Sequence, residues 1–80
     1  MRVKTLNNLN HGEKGKIIMV RGAASIHRYL YGLGLFVGRT IAIEKPVPVP
    51  LNRSVYVRIN TGTFSLENEV AANIKVEIAS

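Results

Sequence analysis

The hydrophobic residues of this chain follow two kinds of spacing, one typical of a helix and one typical of strands. The segment with helical spacing lies just before the middle of the chain. From residue 25 onward, apolar residues fall at i, i+3, i+4 and i+7, the spacing of a single helix face. These residues are Ile26, Tyr29, Leu30 and Leu33. The spacing predicts a helix of about two turns with Tyr29 and Leu30 in the core. Ser25 precedes the apolar stripe, and its hydroxyl predicts an N-cap.

Glycines follow this helical pattern and predict how the chain leaves it. Gly32 and Gly34 interrupt the stripe, and glycine tolerates the positive φ that a helix stop requires. Gly38 marks a second turn before residues 40–44, where Ile41 and Ile43 alternate with polar or small residues. The stretch therefore predicts a helix, a glycine elbow and a half-buried strand.

The remaining apolar residues follow the period of two that is typical of strands. The predicted strands besides residues 40–44 are Lys16–Arg21, Ser54–Ile59, Thr63–Leu66 and Asn73–Ile78. Lys16–Arg21 is apolar on both faces, which predicts a strand covered on both sides. The sequence Asn60-Thr61-Gly62 predicts a hairpin, and residues 67–71 predict a single helical turn.

About five short strands and one short helix predict an all-β fold, a small five-stranded SH3-like barrel forming one domain over residues 1–80. Leu6 and Leu9 are expected to close one end of its core. An OB-type barrel is the second choice, since it usually needs longer strands and a helix later in the chain.

Charge is the unusual bulk property, with a formal net charge of +6 among 80 residues. Such a balance favours acidic partners, namely nucleic acid, an anionic membrane surface or an acidic protein face. The basic residues are spread singly, however, which equally fits a solvated basic surface. Cysteine is absent, and no apolar run approaches the ~20 residues of a membrane span. We therefore expect a cytoplasmic protein that does not insert into the membrane.

Residues with catalytic or metal-binding chemistry are sparse. His11 and His27 lie far apart without carboxylates at ligand spacing, whereas a metal site normally needs three or four ligands. Glu67 and Glu69 form the one close acidic pair, and side chains two residues apart diverge on a helical turn. We therefore expect no metal, no cofactor and no enzymatic activity, and predict a binding or regulatory module.

The order of apolar residues and glycines resembles the FeoA family, small cytosolic SH3-like proteins associated with ferrous-iron transport through the FeoB membrane transporter. The first half of the family pattern is matched by Leu6, Leu9, Gly12, Gly15, Ile17, Val20 and Gly22. The second half is matched by Leu33, Gly34, Leu35, Gly38, Ile41 and Ile43. Leu66, Ala71, Ile74 and Val76 match the closing segment. Each motif alone is weak, but their joint order and spacing are fairly specific.

The resemblance implies an accessory protein that binds the cytosolic part of a FeoB-type transporter and modulates it. The contact surface is then expected around the helix and its elbow, at Arg28, Tyr31 and Phe36. A second expected region is the proline-containing loop, at Val49, Leu51 and Arg53. Tyrosine and arginine are enriched among interface hot spots. Phe36 could equally fold back onto the barrel, and weak self-association is left open.

The alternative function is nucleic-acid binding through the basic surface. Such a site needs basic and aromatic side chains on one face, and Tyr56 with Arg58 is the nearest candidate. An aromatic content of 6% is low for that role, so no specific nucleic acid is expected. A receptor for polyproline peptides ranks lower still, because the chain has no Trp to build an aromatic groove.

Overall fold

The computed structural model describes residues 2–44 and 54–79, and β-strands are the commonest secondary structure in this part of the chain. The strands are β1 (Val3–Thr5), β2 (Lys14–Val20), β3 (Thr40–Ile43), β4 (Ser54–Ile59), β5 (Gly62–Glu67) and β6 (Ile74–Ile78). The helices are α1 (Ala24–Leu33) and the single turn α2 (Asn68–Ala71), and a 3₁₀ turn spans Leu6–Asn8. This sheet-rich architecture with one short helix confirms the predicted fold class.

All strand pairs are antiparallel, and the strands form one sheet in the order β1-β6-β2-β3-β4-β5. Within the described residues, β1 and β5 are its two edges. The sheet has six strands where five were predicted, because β1 was missed. Three residues with one exposed valine carry too little periodicity to be recognised, and Val3 is ordered through its pairing with Glu77 of β6.

The core lies on the inward face of this sheet and is apolar throughout the described residues. Its fully buried side chains include Leu6, Ile17, Leu30, Leu35, Ile41, Val57, Ile74 and Val76. Leu6 and Leu9 are both buried at the 3₁₀ turn, as predicted from their spacing. The predicted hairpin is also confirmed, since Ile59 pairs with Gly62 across residues 60 and 61.

Helix α1 forms where it was predicted, but two details of its ends differ. It begins after Ala23, which makes no side-chain cap, and Ser25 lies within its first turn, so the predicted N-cap is wrong. Gly32 continues the helix, while Gly34 adopts a left-handed φ of 91° and ends it. The Leu35 amide then donates to the Leu30 carbonyl at 2.8 Å, a bond of the Schellman type. A Cβ on Gly34 would also approach Ile59 Cδ1 to 2.9 Å.

The prediction that Tyr29 belongs to the core is wrong, because its side chain is 53% exposed. Leu30 is fully buried, as expected, whereas Ile26 and Leu33 are only partly buried. Only a narrow arc of α1 therefore meets the sheet. Tyr29 lies about 100° around the helix from Leu30, outside that arc.

The prediction that the second strand is covered on both faces is also wrong. Ile17 is fully buried, but Ile18 and Met19 are 38% and 43% exposed. A register shift between Ile17 and Met19 in the pairing with β6 marks an irregularity at this point. The outward apolar side chains of β2 do not need another element packed over them, because scattered exposed apolar side chains are normal on protein surfaces.

Candidate partner-binding surface

The end of α1 and the elbow after it bring two of the predicted contact residues together. Tyr31 lies in the last turn of α1, and the left-handed Gly34 reverses the chain. Leu35 is then buried as an anchor, which returns Phe36 to the side of Tyr31. The two ring centroids are 5.3 Å apart with a 40° angle between the ring planes. This tilted contact lies in the favourable range for aromatic pairs.

Phe36 is half-buried, so it both folds back against the molecule and keeps part of its ring accessible. Tyr31 is 69% exposed, and the neighbouring Val37 is 62% exposed. A shallow cleft of about 250 Å³ is lined by these residues with Val20, His27 and Leu35. We call Tyr31, Phe36 and Val37, with His27 one helical turn before Tyr31, the elbow patch. Exposed apolar side chains gathered in this way mark a contact surface more strongly than scattered ones.

The elbow patch has a basic border. Arg39 places its guanidinium carbon 5.6 Å from the centre of the Phe36 ring, a cation–π arrangement. Arg28 is exposed on α1 and precedes Tyr31 by three residues, which are neighbouring positions on a helix surface. Among the described residues, neither arginine forms a salt bridge. The surface is therefore aromatic, and beside it lie two arginines with which no carboxylate of the described residues pairs.

The predicted contact residues fall into two groups. The structure brings Tyr31 and Phe36 into contact, and Arg28 lies on the same helix. Val49, Leu51 and Arg53 lie outside the described residues.

Sequence reasoning missed His27, Val37 and Arg39 as members or neighbours of the patch. The four-residue spacing of His27 and Tyr31 was a usable signal for His27, because residues i and i+4 share a helix face. Val37 and Arg39 carried no such signal, since their positions depend on the geometry of the elbow.

The five side-chain carboxylates lie outside the elbow patch, and two of them, Glu13 and Glu44, form the salt bridges among the described residues. Glu13 accepts a hydrogen bond from the Asn10 amide at 2.6 Å and pairs with Lys4 at 3.2 Å. The Asn10 N–H, together with the Lys4 ammonium, lowers the pKa of Glu13 below its ordinary value of 4.5. Glu13 therefore connects β1 to the turn before β2, and its interactions are structural.

The alternative nucleic-acid face is weakened by another ion pair. Arg58 directs its Nε to Glu44 Oε1 at 2.8 Å, which neutralises the cation that was expected to meet phosphate. Tyr56 is half-buried on the same strand, and its side chain offers only part of a stacking surface. Tyr56 and Arg58 do lie on the same face of β4. They do not form a surface that combines free positive charge with an exposed aromatic ring, as binding of single-stranded nucleic acid requires.

No group of three or more metal-ligating side chains occurs within residues 2–44 and 54–79. Across the same residues, every helix is too short or too polar to cross a membrane.

Comparison with known proteins identifies similarity over nearly the whole chain. The model of the FeoA domain family matches residues 4–78. A protein of Porphyromonas gingivalis (strain ATCC BAA-308 / W83), described as a Fe(2+) transport protein A/Fe(2+) transporter FeoB fusion protein, is 33% identical over 75 residues. The match covers 94% of this chain but only 9% of that relative's length.

Solved structures agree on the fold. A crystal structure of an iron uptake regulatory protein, FeoA, superposes with a TM-score of 0.85 at 20% identity, covering 98% of this chain and 100% of that one. The solution structure of iron(II) transport protein A from Clostridium thermocellum gives a TM-score of 0.84 at 25% identity, covering 95% of this chain and 46% of that one. These superpositions confirm the SH3-like fold.

Proposed function

This chain belongs to the FeoA family, and on that premise we propose that it is an accessory, regulatory protein that binds the cytosolic part of a FeoB-type ferrous-iron transporter. The family is linked to ferrous-iron transport. The observation that carries the proposal is the relative in which a FeoA part and a FeoB part share one polypeptide. Fusion holds two modules at high effective concentration. Separate chains need a binding surface to reach the same association.

The elbow patch is the surface that best fits this requirement. It combines tyrosine and phenylalanine with flanking arginines, and tyrosine and arginine are enriched among the residues that dominate interface energies. Tyr31 and Phe36 already touch, so little side-chain freedom remains to be lost on binding. The positive border and the net charge of +6 favour a partner face that carries carboxylates.

The protein is proposed to act by contact, without catalysis and without holding the transported iron. Its histidines do not combine with carboxylates in the described residues to make a ligand set, and the four residues of the elbow patch place no serine, threonine or cysteine nucleophile beside His27. Regulation then comes from the free energy of binding one conformation of the transporter more tightly than another.

Two exposed tyrosines on α1 provide a matched test. Tyr29 and Tyr31 are 53% and 69% exposed, but only Tyr31 belongs to the elbow patch. The full chain, carrying a fluorescent label, is titrated with the soluble cytosolic domain of a FeoB-type transporter near physiological salt. Tyr31→Ala is expected to weaken binding by about 30-fold, the effect of losing a hot spot of ~2 kcal/mol. Tyr29→Ala is expected to change the affinity by less than about twofold.

Three outcomes contradict the proposal: wild-type protein that does not bind, equal losses in both variants, or a loss confined to Tyr29→Ala. Arg28→Glu tests the basic border and is expected to slow association and weaken binding in a salt-dependent way. Leu51→Asp tests the predicted contribution of the loop, which also includes Val49 and Arg53. A Leu51→Asp variant that binds like the wild type removes that loop from the proposed surface.

A further inference from the structure

A second cleft, separate from the elbow patch except for its shared residue Phe36, opens where β2, β3 and the β4–β5 hairpin meet. Its volume is about 760 Å³, within the range of roughly 300–1,000 Å³ that is typical of small-molecule sites. Its polar lining consists of Lys14, Arg39, Arg58, Thr40, Asn60 and Thr63. Among the described residues no carboxylate belongs to this lining, although Glu44 lies beside it, paired with Arg58 at 2.8 Å and accepting a hydrogen bond from the Thr63 hydroxyl at 3.4 Å.

Strand register explains how these side chains meet. Lys14 lies opposite Ala42, Ala42 opposite Arg58, and Arg58 opposite Thr63, so one row crosses four strands. Residues directly opposite each other in a sheet point to the same face. The single methyl group of Ala42 therefore separates two long cationic side chains, and it leaves open space between them.

The cations of the cleft are not all neutralised. Arg58 pairs with Glu44 at 2.8 Å, but among the described residues neither Lys14 nor Arg39 forms a salt bridge. The Nε of Arg39 is shielded from solvent and has no hydrogen-bond partner. Shielding a charged donor without an acceptor costs free energy, and an anion in the cleft would offset part of that cost through its attraction to the same guanidinium charge.

We infer that this cleft binds a small oxyanion of the phosphate class, either inorganic phosphate or a phosphate ester. A guanidinium and an ammonium supply the charge, since arginine and lysine are the side chains that proteins use most for phosphate. The hydroxyl of Thr40 and the amide of Asn60 supply neutral donors, whereas the Thr63 hydroxyl donates to Glu44. The inference goes beyond the transporter contact and is tested separately from it through Lys14, which lies outside the elbow patch and its basic border, whereas Arg39 borders both sites.

The test is calorimetric titration of the full chain with inorganic phosphate, pyrophosphate and glycerol phosphate, each at constant ionic strength adjusted with sodium chloride. Saturable binding is expected, and the tightest of the three probes identifies the form of phosphate preferred. Arg39→Gln and Lys14→Gln are each expected to weaken binding about tenfold or more. Lys14→Gln retains the test if Arg39→Gln does not fold, because Lys14 is an exposed side chain.

Lys75→Gln is the matched control, since it removes one positive charge from β6, outside the cleft. It is expected to leave phosphate affinity within about twofold of the wild type. If all three variants lose phosphate affinity equally, or if the heat of binding never saturates, the inference is overturned. Phosphate then binds only through the general positive charge of the surface. Binding of a single-stranded oligonucleotide that phosphate and pyrophosphate do not displace also overturns it, in favour of the nucleic-acid alternative.

Discussion

Strand β6 and helix α1 use their apolar residues in opposite ways. In β6, Ile74, Val76 and Ile78 are all buried, and the strand pairs with β1 on one side and β2 on the other. Helix α1 is twice as long, with 10 residues against 5, yet only Leu30 is fully buried. A strand paired on both sides therefore stabilises the fold, while most of the helix faces outward.

This difference shows which apolar residues are available to contact a partner protein. The apolar residues of β6 point into the core and cannot contact a partner without unfolding. In α1 and its elbow, Leu30 and Leu35 are buried, but Tyr31 and Val37 lie on the surface with no described element over them. The helix is attached through a narrow contact and presents the elbow patch.

The largest expected effect comes from the strand. Ile74→Ala should lower the free energy of unfolding by about 2–5 kcal/mol, because it removes a fully buried side chain next to two paired strands. Urea unfolding followed by circular dichroism measures this. Lys75→Ala, its neighbour on the outward face, should stay within ~0.5 kcal/mol of the wild type. Equal stabilities for the two variants would show that β6 does not organise the core.

A second, smaller loss is expected from the helix. Leu30→Ala should also fall in the range of about 2–5 kcal/mol, but toward its lower end, since the surrounding contact is narrow and can relax. Thermal unfolding of Leu30→Ala beside Tyr29→Ala checks this, and Tyr29→Ala should melt close to the wild type. If the Leu30→Ala variant melts like the wild type, α1 does not pack on the sheet through Leu30.

The smallest effect concerns an ion pair at the β1 edge and depends on pH. The pKa of Glu13 is lowered in the folded state, so its contribution to stability is present above the unfolded pKa and is lost as the pH falls through the folded pKa. Wild type should therefore lose more stability than Glu13→Gln between neutral pH and about pH 3. Urea unfolding at both pH values measures the difference. Parallel losses in the two proteins would mean that the contacts of Glu13 do not stabilise the fold.

Periodicity alone predicted much of the sheet. The alternation was read correctly in β6, where Ile74, Val76 and Ile78 are buried and the residues between them are not, and in the second half of β4, where buried Val57 and Ile59 flank exposed Arg58. The exposure of Ile18 and Met19 could not be read in this way, since their apolarity does not say which face the sheet leaves open. Likewise, the helical stripe includes Tyr29, and only the width of the helix contact excludes it.

The candidate site was harder to predict, because it depends on how distant side chains meet. Tyr31 and Phe36 were predicted as contact residues, but their 5.3 Å approach requires the left-handed turn at Gly34 and the burial of Leu35. Gly38 predicted the second turn, but the position of Arg39 over the Phe36 ring depends on the geometry of that turn, which no pattern specifies. The polar cleft needs the register of four strands, which pattern reasoning does not provide.

The central claim is that this protein meets its transporter through the elbow patch, and mapping the interface by NMR tests it most directly. The full chain, labelled with nitrogen-15, is titrated with the unlabelled cytosolic domain of a FeoB-type transporter. The account predicts that the largest amide shift changes fall in residues 27–31 and 35–39, with β6 unchanged. Changes concentrated in β1 and β6, with the helix and elbow unaffected, would contradict it.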